Sequence, residues 1–594
     1  MGILQRAMET YDAMHSLVGV EEEGKEVLAP IGHIITKVEI VVTLDKDGNF
    51  IQARPADEKI IIPVTEESAG RTSGLAAHPL DEQLSYLSGL DADKRTLYLD
   101  QLRAWCDSEY AHPKAIAVLK YVEGGKLMAD LASAGLLKYD EDGSIKNEKN
   151  LVSWIVNGLG EKSGPVWRDT ELMQSFADYY IASRAEDAAR LCMLSGEEAI
   201  PAKQHLKGVF SLNGNAKIIS ANDKQNFTYR GRFQTDDEAS TVGYTASQKA
   251  HNALKWVVTN QGVIRGGRAF VCWNPRGITV PRVGNPLVRR SESRLLPSDY
   301  REVLRRAVDG WKEQIPESEG VVIAAFDAAT TGRLAVTYYS ELQAPDFIDR
   351  LAYWDETCCW YDTGWGVSAP LLYTIVRFAF GTQRGAEGKV EADDRVLAQH
   401  VQRMISCRID RAAFPQDIMQ ALVRKAGNLQ VYSPSNRRQL LFTACAGIRK
   451  YRIDRFKEDI GMALEPQRRD RSYQFGRLLA VMEKIETDTY DHGESRQPNA
   501  IRLQSVFVQR PGYATKIVMD QLKNAYYPRL SVGLRIFYDR LIGEIMEQIC
   551  AFDESEYNKP LTETYLPGYY LQKNALYTAK DKDENDMEVE EDEV

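Results

Sequence analysis

"IITKVEIVVTLDKDGNFIQARP", residues 34–55, carries two β-branched runs that alternate with period two on either side of Asp47-Gly48. The alternation stops at a dipeptide that accepts the tight turn between paired strands, so the stretch reads as a hairpin. "GVVIAAFDAATTGRLAVTYYSEL" (320–342) reads the same way, turning at Thr330-Thr331-Gly332. "HLKGVFSLNG" (205–214) and "GGRAFVCWNPRG" (266–277) read as further strands.

From about residue 370 the period changes. "LLYTIVRFAF", "VLAQHVQRMISCRI", "DIMQALVRKAG", "RQLLFTACAGIRKYRI", "SYQFGRLLAVMEKIETDTY", "ATKIVMDQLKNAYY" and "LRIFYDRLIGEIMEQICAF" repeat apolar residues at i, i+3 and i+4. That is the pattern of packed amphipathic helices. The expected fold is α+β and multi-domain, a mixed α/β N-terminal body with hairpins followed by a C-terminal α-helical bundle. The expected segments are an α/β part over 1–92, a mostly helical, acidic insertion over 93–200, and a second α/β part over 201–369. A helical bundle over 370–579 and a disordered acidic tail over 580–594 complete the chain.

The 594 residues are 44% hydrophobic and 27% charged, the balance of an ordinary globular protein with ample core. No run of about 18 apolar residues exists to span a membrane. "MGILQRAMETYDAMHSL" reads as an amphipathic helix without the apolar region of a signal peptide, and residue 6 is Arg, unlike a myristoylation site. The expected compartment is the cytoplasm. Eight cysteines form no CxxC and eight histidines no HExxH, so reduced core thiols are expected and no metal. "GLGEKSG" (158–164) places Glu161 before Lys162 and lacks the Gly-Lys-Ser/Thr of a phosphate-binding loop. Without a nucleophile elbow or a converging carboxylate set, no enzyme and no cofactor are expected.

The net charge of −11 conceals strong local imbalance. The last fifteen residues hold nine acids and two lysines, whereas residues 201–300 hold fifteen Lys/Arg against six Asp/Glu. Residues 396–461 hold twelve against five. Local positive fields attract phosphates even on an acidic molecule. Within the first basic stretch lies "SLNGNAKIISANDKQNFTYRG" (211–231), with four Asn, one Gln and two Lys.

An ordered set of segments resembles one family, the large subunit of the type I-C CRISPR surveillance complex (Cascade). The resemblance runs through "ILQRAMETYDAM" (3–14), "KVEIVVTLDKDGNFI" (37–51) and "RTSGLAAHPLDEQLSYLSG" (71–89). Here His78-Pro79 follows Ala77 where the family has Pro directly. It continues through Ser211-Leu212-Asn213, Ala216, Ser220 and Gln225, with Leu212 in place of an aromatic residue. "TASQKAHNALKWVV" (245–258), "RAFVCWNPRG" (268–277) and "LPGYYLQKNALY" (566–577) follow in family order.

The resemblance implies a non-catalytic subunit whose complex pairs CRISPR RNA with target double-stranded DNA. Protein reads a short protospacer-adjacent motif (PAM) in the duplex, which opens it locally and starts the R-loop. The implied partners are the Cascade backbone and RNA-processing subunits, a small subunit and a recruited helicase-nuclease, with no membrane. Within that reading Asn213, Gln225 and Asn226 offer amides to base edges, and Lys217 and Lys224 attract phosphates. A loop that only braces the RNA end is the alternative. Arg71, Thr72 and Ser73 form the competing PAM-contact site, with an N-cap turn as the structural alternative.

Arg403, Arg408 and Arg411, read as close to one helical face, and Arg449, Lys450, Arg452 and Arg455 are strand-tracking candidates. The aromatic residues of "RKYRIDRF" suit stacking on unpaired bases, although a solvated charged face has the same pattern. In this family the small subunit arises by internal translation, and Met462 is the candidate start. Lys457-Glu458-Asp459 can be encoded by a ribosome-binding sequence, and helices at 472–490, 513–527 and 532–552 would follow in the product. A stand-alone nuclease and a purely structural scaffold remain as other readings.

Overall fold

The computed structural model describes residues 2–71, 74–141, 143–210, 214–219, 240–289, 294–328, 330, 332–491, 494 and 496–577. Packing groups the chain into two compact units, Met1–Thr279 with Gly320–Glu341, and Val280–Glu319 with Leu342–Val594. The first segment expected to be a hairpin is one. Strands His33–Asp45 and Phe50–Pro63 pair antiparallel in register from His33↔Pro63 to Leu44↔Phe50. The Asp45 carboxylate accepts the backbone N–H groups of Asp47 and Asn49 at 2.9 and 2.8 Å, fixing the turn. Gly48 sits at φ +82°, where a Cβ would lie 2.7 Å from the Ala117 carbonyl oxygen, so the turn demands glycine twice over.

The 93–200 stretch is less helical than expected, because Leu151–Asn157 is a strand running parallel to His33–Asp45. Helices Ala92–Cys106 and Pro113–Glu123 lie within the crossover that a parallel pair requires. The strand's run "LVSWIVN" is apolar at nearly every position and buried on both faces, the signature of an interior strand rather than an alternating one. Trp105, Trp154 and Phe176, all buried, centre this core.

A second sheet in the same unit has the order Ala335–Gln343, Gly320–Asp327, Arg268–Trp273, Val263–Arg265. Helices Ile3–Ala13 and Tyr244–Gln261 share its core, with Ala7, Leu254, Trp273 and Phe326 in one cluster. The expected strand over 205–214 is absent among its described residues, which run as turns and loop.

The other unit is built from helices. Pro434–Phe456 is buried without a break from Leu440 to Tyr451, and Arg471–Thr487 from Ser472 to Glu486. Asp394–Ile409, Gln416–Ala426, Pro511–Gln521 and Val532–Cys550 pack around them. A helix over 565–577 crosses the 471–487 helix so closely that a Cβ on Gly476 would collide with the Tyr565 carbonyl, and one on Gly568 with that of Tyr473. The fold class is α+β, as the two hydrophobic periods require. Among the described residues no helix is long and apolar enough to cross a membrane.

Candidate nucleic-acid interface

In the first unit, two loops read as competing contact sites are knitted together. Thr65 caps helix Glu66–Gly70 by accepting the Ser68 N–H at 3.1 Å, while Ser68 Oγ accepts the Thr65 N–H at 3.0 Å. Arg71 follows at the helix end. Its guanidinium forks onto Glu82 at 2.7 and 2.9 Å, donates to the Ala76 carbonyl at 2.7 Å, and lies 4.7 Å from the centroid of the Tyr86 ring. The Glu82 side chain is fully buried and also accepts the His78 and Gln83 N–H groups. Arg71, expected on a phosphate, here closes its own loop, and phosphate contact would compete with Glu82 and the Ala76 carbonyl. Thr72 and Ser73 lie outside the described residues.

The stem of the amide-rich loop docks on this capped turn. Buried Glu66 pairs with Arg184 and accepts the Gln204 N–H at 3.0 Å, and Arg184 donates to the Pro201 carbonyl at 2.6 Å. Burial raises the Glu66 carboxyl above its ordinary range, with Arg184 opposing that shift. Lys207 then donates to the Arg71 carbonyl at 3.4 Å. The Gly208 N–H donates to the Ala216 carbonyl at 3.0 Å, closing a neck, and Gly208 at φ +71° admits the Gly214 backbone against it. Lys217 pairs by backbone with 332–334, its N–H to the Gly332 carbonyl at 3.2 Å and its carbonyl to the Leu334 N–H at 2.9 Å. Asn213, Lys224, Gln225 and Asn226 lie outside the described residues.

The neck is electrostatically one-sided. Lys207 and Lys217 are both partly buried, and among the described residues neither has a carboxylate partner. Burial holds both ammonium groups below their ordinary range, and Lys207 is lowered further by Lys217 and Arg71. Beside them His205 and His251 stack with centroids 5.8 Å apart and planes 19° from parallel. His205 Nδ1 lies 2.8 Å from Ser247 Oγ, and His251 Nδ1–H donates to the Ser247 carbonyl at 2.7 Å. Burial, with His251 and Lys217 adding to it, pushes His205 down to about 3, so its ring is neutral at pH 7.

The basic helices of the second unit resolve in the opposite way. Residues five apart on an α-helix are about 140° apart around its axis, so Arg403 and Arg408 do not share a face. The Arg408 side chain is 1% exposed and pairs at 2.7 Å with Asp355, also 1% exposed. It donates to the carbonyls of Val283 and Asn285, and Asp355 accepts the Leu287 N–H at 2.6 Å. Burial pushes the Asp355 carboxyl up to about 6 against the pull of Arg408. Lys450 is buried on Asp454 at 2.5 Å, with its ammonium 4.7 Å from the Tyr353 ring centroid. Arg449 forks onto Asp459 at 2.7 and 2.8 Å and donates to the Glu356 carbonyl. Arg452 pairs with Glu458 and, at 2.8 Å, with Glu563.

Arg408, Arg449, Lys450 and Arg452, expected along a DNA strand, are here engaged in ion pairs within the bundle. Arg403 is partly exposed and forks onto Asp417 at 2.7 and 2.6 Å. Arg411 lies beyond the end of the 394–409 helix at φ +56°, its guanidinium 5.3 Å from the Tyr353 ring centroid. Arg455 is exposed and shares a shallow depression with Arg403, Gln416, Asp417 and Gln420. Met462 lies in the connection between the 434–456 and 471–487 helices and packs on the cluster of Val288, Tyr300 and Leu304.

Sequence reading missed Lys207, which stands outside the amide-rich stretch. Its one visible signal was membership of the basic 201–300 region. Among the described residues, no three His, Cys, Asp or Glu side chains group as metal ligands. No curated protein matches the chain. The family model for CRISPR-associated protein (Cas_Csd1) matches residues 9–577, through the docked loops of the first unit and nearly all of the helical second one. The chain belongs to the CRISPR-associated protein (Cas_Csd1) family.

Proposed function

We propose that this Cascade subunit is the non-catalytic large subunit of a type I-C complex, working in the cytoplasm. It reads the PAM in double-stranded DNA and helps separate the strands. The guide RNA then pairs with the target, and a separate helicase-nuclease is recruited to cut. The observation that carries the reading is the family match over 9–577. It is supported by the hydrogen bond from Lys207 to the Arg71 carbonyl, next to Lys217, neither lysine having a carboxylate partner among the described residues. Amides at Asn213, Gln225 and Asn226 would then read base edges from a stem already held near phosphate.

The test is binding by the assembled complex. Asn213→Ala with Gln225→Ala is expected to weaken PAM-bearing duplex by about 1–3 kcal/mol for each base edge no longer read, and to leave a pre-opened target nearly unchanged. Equal losses on both targets would mean that the loop supports assembly instead. Metal-dependent cutting by the purified chain alone would favour a nuclease.

The small subunit is proposed to begin at Met462. Helices Arg471–Thr487, Pro511–Gln521 and Val532–Cys550 would then form its core, without the Arg452–Glu563 ion pair and the Tyr570–Asp362 hydrogen bond that tie its C-terminal segment to the preceding chain. Intact-mass analysis after expression from the native gene is expected to find a species starting at Met462, which disappears on synonymous recoding of Lys457 and Glu458. A complex holding only full-length chain would contradict the assignment.

A further inference from the structure

We propose that Lys207 and Lys217 together clamp one backbone phosphate of duplex DNA at the neck closed by Gly208 and Ala216, independently of base sequence. The proposal rests on the DNA-binding reading above and adds to it a residue, Lys207, and a division of labour. Three observations converge on the neck. The Lys207 ammonium meets a neutral carbonyl, that of Arg71, and no carboxylate among the described residues. Arg71 cannot swing out to compete for an anion, because Glu82 and the Ala76 carbonyl occupy its guanidinium. The backbone of Lys217 is fixed at both its N–H and its carbonyl by 332–334, so its side chain starts from a rigid base.

Two partly buried ammonium groups, Lys217 lowering Lys207 and neither with a carboxylate partner among the described residues, both keep their protons more easily once an anion sits between them. A phosphodiester supplies that anion, and its contact with two lysines sets the register of a duplex without reading it. Because Lys207 is tied to the Arg71 carbonyl and the Gly208–Ala216 hydrogen bond closes the neck, a phosphate held here sits beside Arg71.

The test uses the assembled complex with Lys207→Gln, Lys217→Gln, the double variant, and Lys207→Arg with Lys217→Arg. Removal of two charge-assisted hydrogen bonds predicts at least about tenfold weaker binding for the double Gln variant. The weakening should be equal for duplexes with and without the PAM, and the slope of log affinity against log salt should fall by about 0.9. The Arg pair should recover most of the affinity. A methylphosphonate scan of the duplex supplies a second arm that does not depend on the stability of the variants. At one linkage the neutral substitution should weaken wild type about as much as the double Gln variant does, and should not weaken that variant further. An unchanged salt slope, or a loss confined to PAM-bearing duplex, overturns the phosphate clamp while leaving PAM reading intact. Failure of the wild-type complex to prefer duplex bearing a PAM would overturn the functional reading itself, whatever the lysines do.

Discussion

Two regions of this chain carry a similar excess of basic residues in sequence and use it in contrary ways. In the first unit, Lys207 and Lys217 have no carboxylate partner among the described residues, and Lys207 donates to the Arg71 carbonyl. In the second unit, Arg408, Arg449, Lys450 and Arg452 are consumed by Asp355, Asp459, Asp454 and the Glu458–Glu563 pair. Asp355 and Glu563 lie far away in sequence, so a windowed charge count cannot see them. A positive stretch attracts nucleic acid only where folding leaves its charge uncompensated.

The sharpest way to break this comparison is Arg408→Gln. Removing one member of a buried ion pair leaves the other charge stranded and is expected to cost about 3–5 kcal/mol of stability. Denaturant unfolding should record that cost, while the folded protein, once in its complex, should bind DNA with unchanged salt dependence. Ordinary stability with a weakened salt slope would put Arg408 back on the DNA surface.

A smaller net effect is expected from acid. His33 and His78, at about 4, and His205, at about 3, are all held below the unfolded value by burial. Each adds stability that is present above pH 6.5 and lost as pH falls toward 4. Asp81, raised by burial to about 7, acts in the opposite direction as pH falls below 7. These three imidazoles, with His112 and His251 shifted the same way, outweigh Asp81 and Glu66, so the first unit should be weaker by on the order of 3 kcal/mol at pH 5 than at pH 7. Hydrogen exchange corrected for intrinsic rates should show that weakening in the first unit, whereas the second has His400 as its one described histidine. Equal weakening of both units would sink the assignment.

The smallest effect belongs to the remaining candidates. Arg403→Gln with Arg411→Gln and Arg455→Gln should lower the salt slope by no more than about 0.9 for each phosphate that the arginines neutralise, without altering PAM preference. An unaltered slope would mark all three as solvated surface.

Much of the fold was legible because hydrophobic period is a local property. The 34–55 hairpin announced itself at Asp47-Gly48, and the seven helical stretches after residue 370 are all helical. Leu151–Asn157 was missed because a strand buried on both faces has no alternation to detect. The site was less legible. Arg71 looked like a phosphate ligand until Glu82, eleven residues on, was seen to occupy it. Lys207 looked ordinary until its neighbours proved to be a carbonyl and another lysine. Packing between distant segments decides such cases, and sequence spacing does not encode it.

The central claim is that this chain lets the complex engage closed duplex. The direct measurement compares complexes assembled with and without it on two targets, fully paired DNA bearing the PAM and the same DNA opened across the guide-complementary stretch. Omission is expected to abolish binding to paired DNA and to leave guide-directed binding to opened DNA largely intact. Equal binding to paired DNA without the chain, or equal loss on both targets, would contradict it.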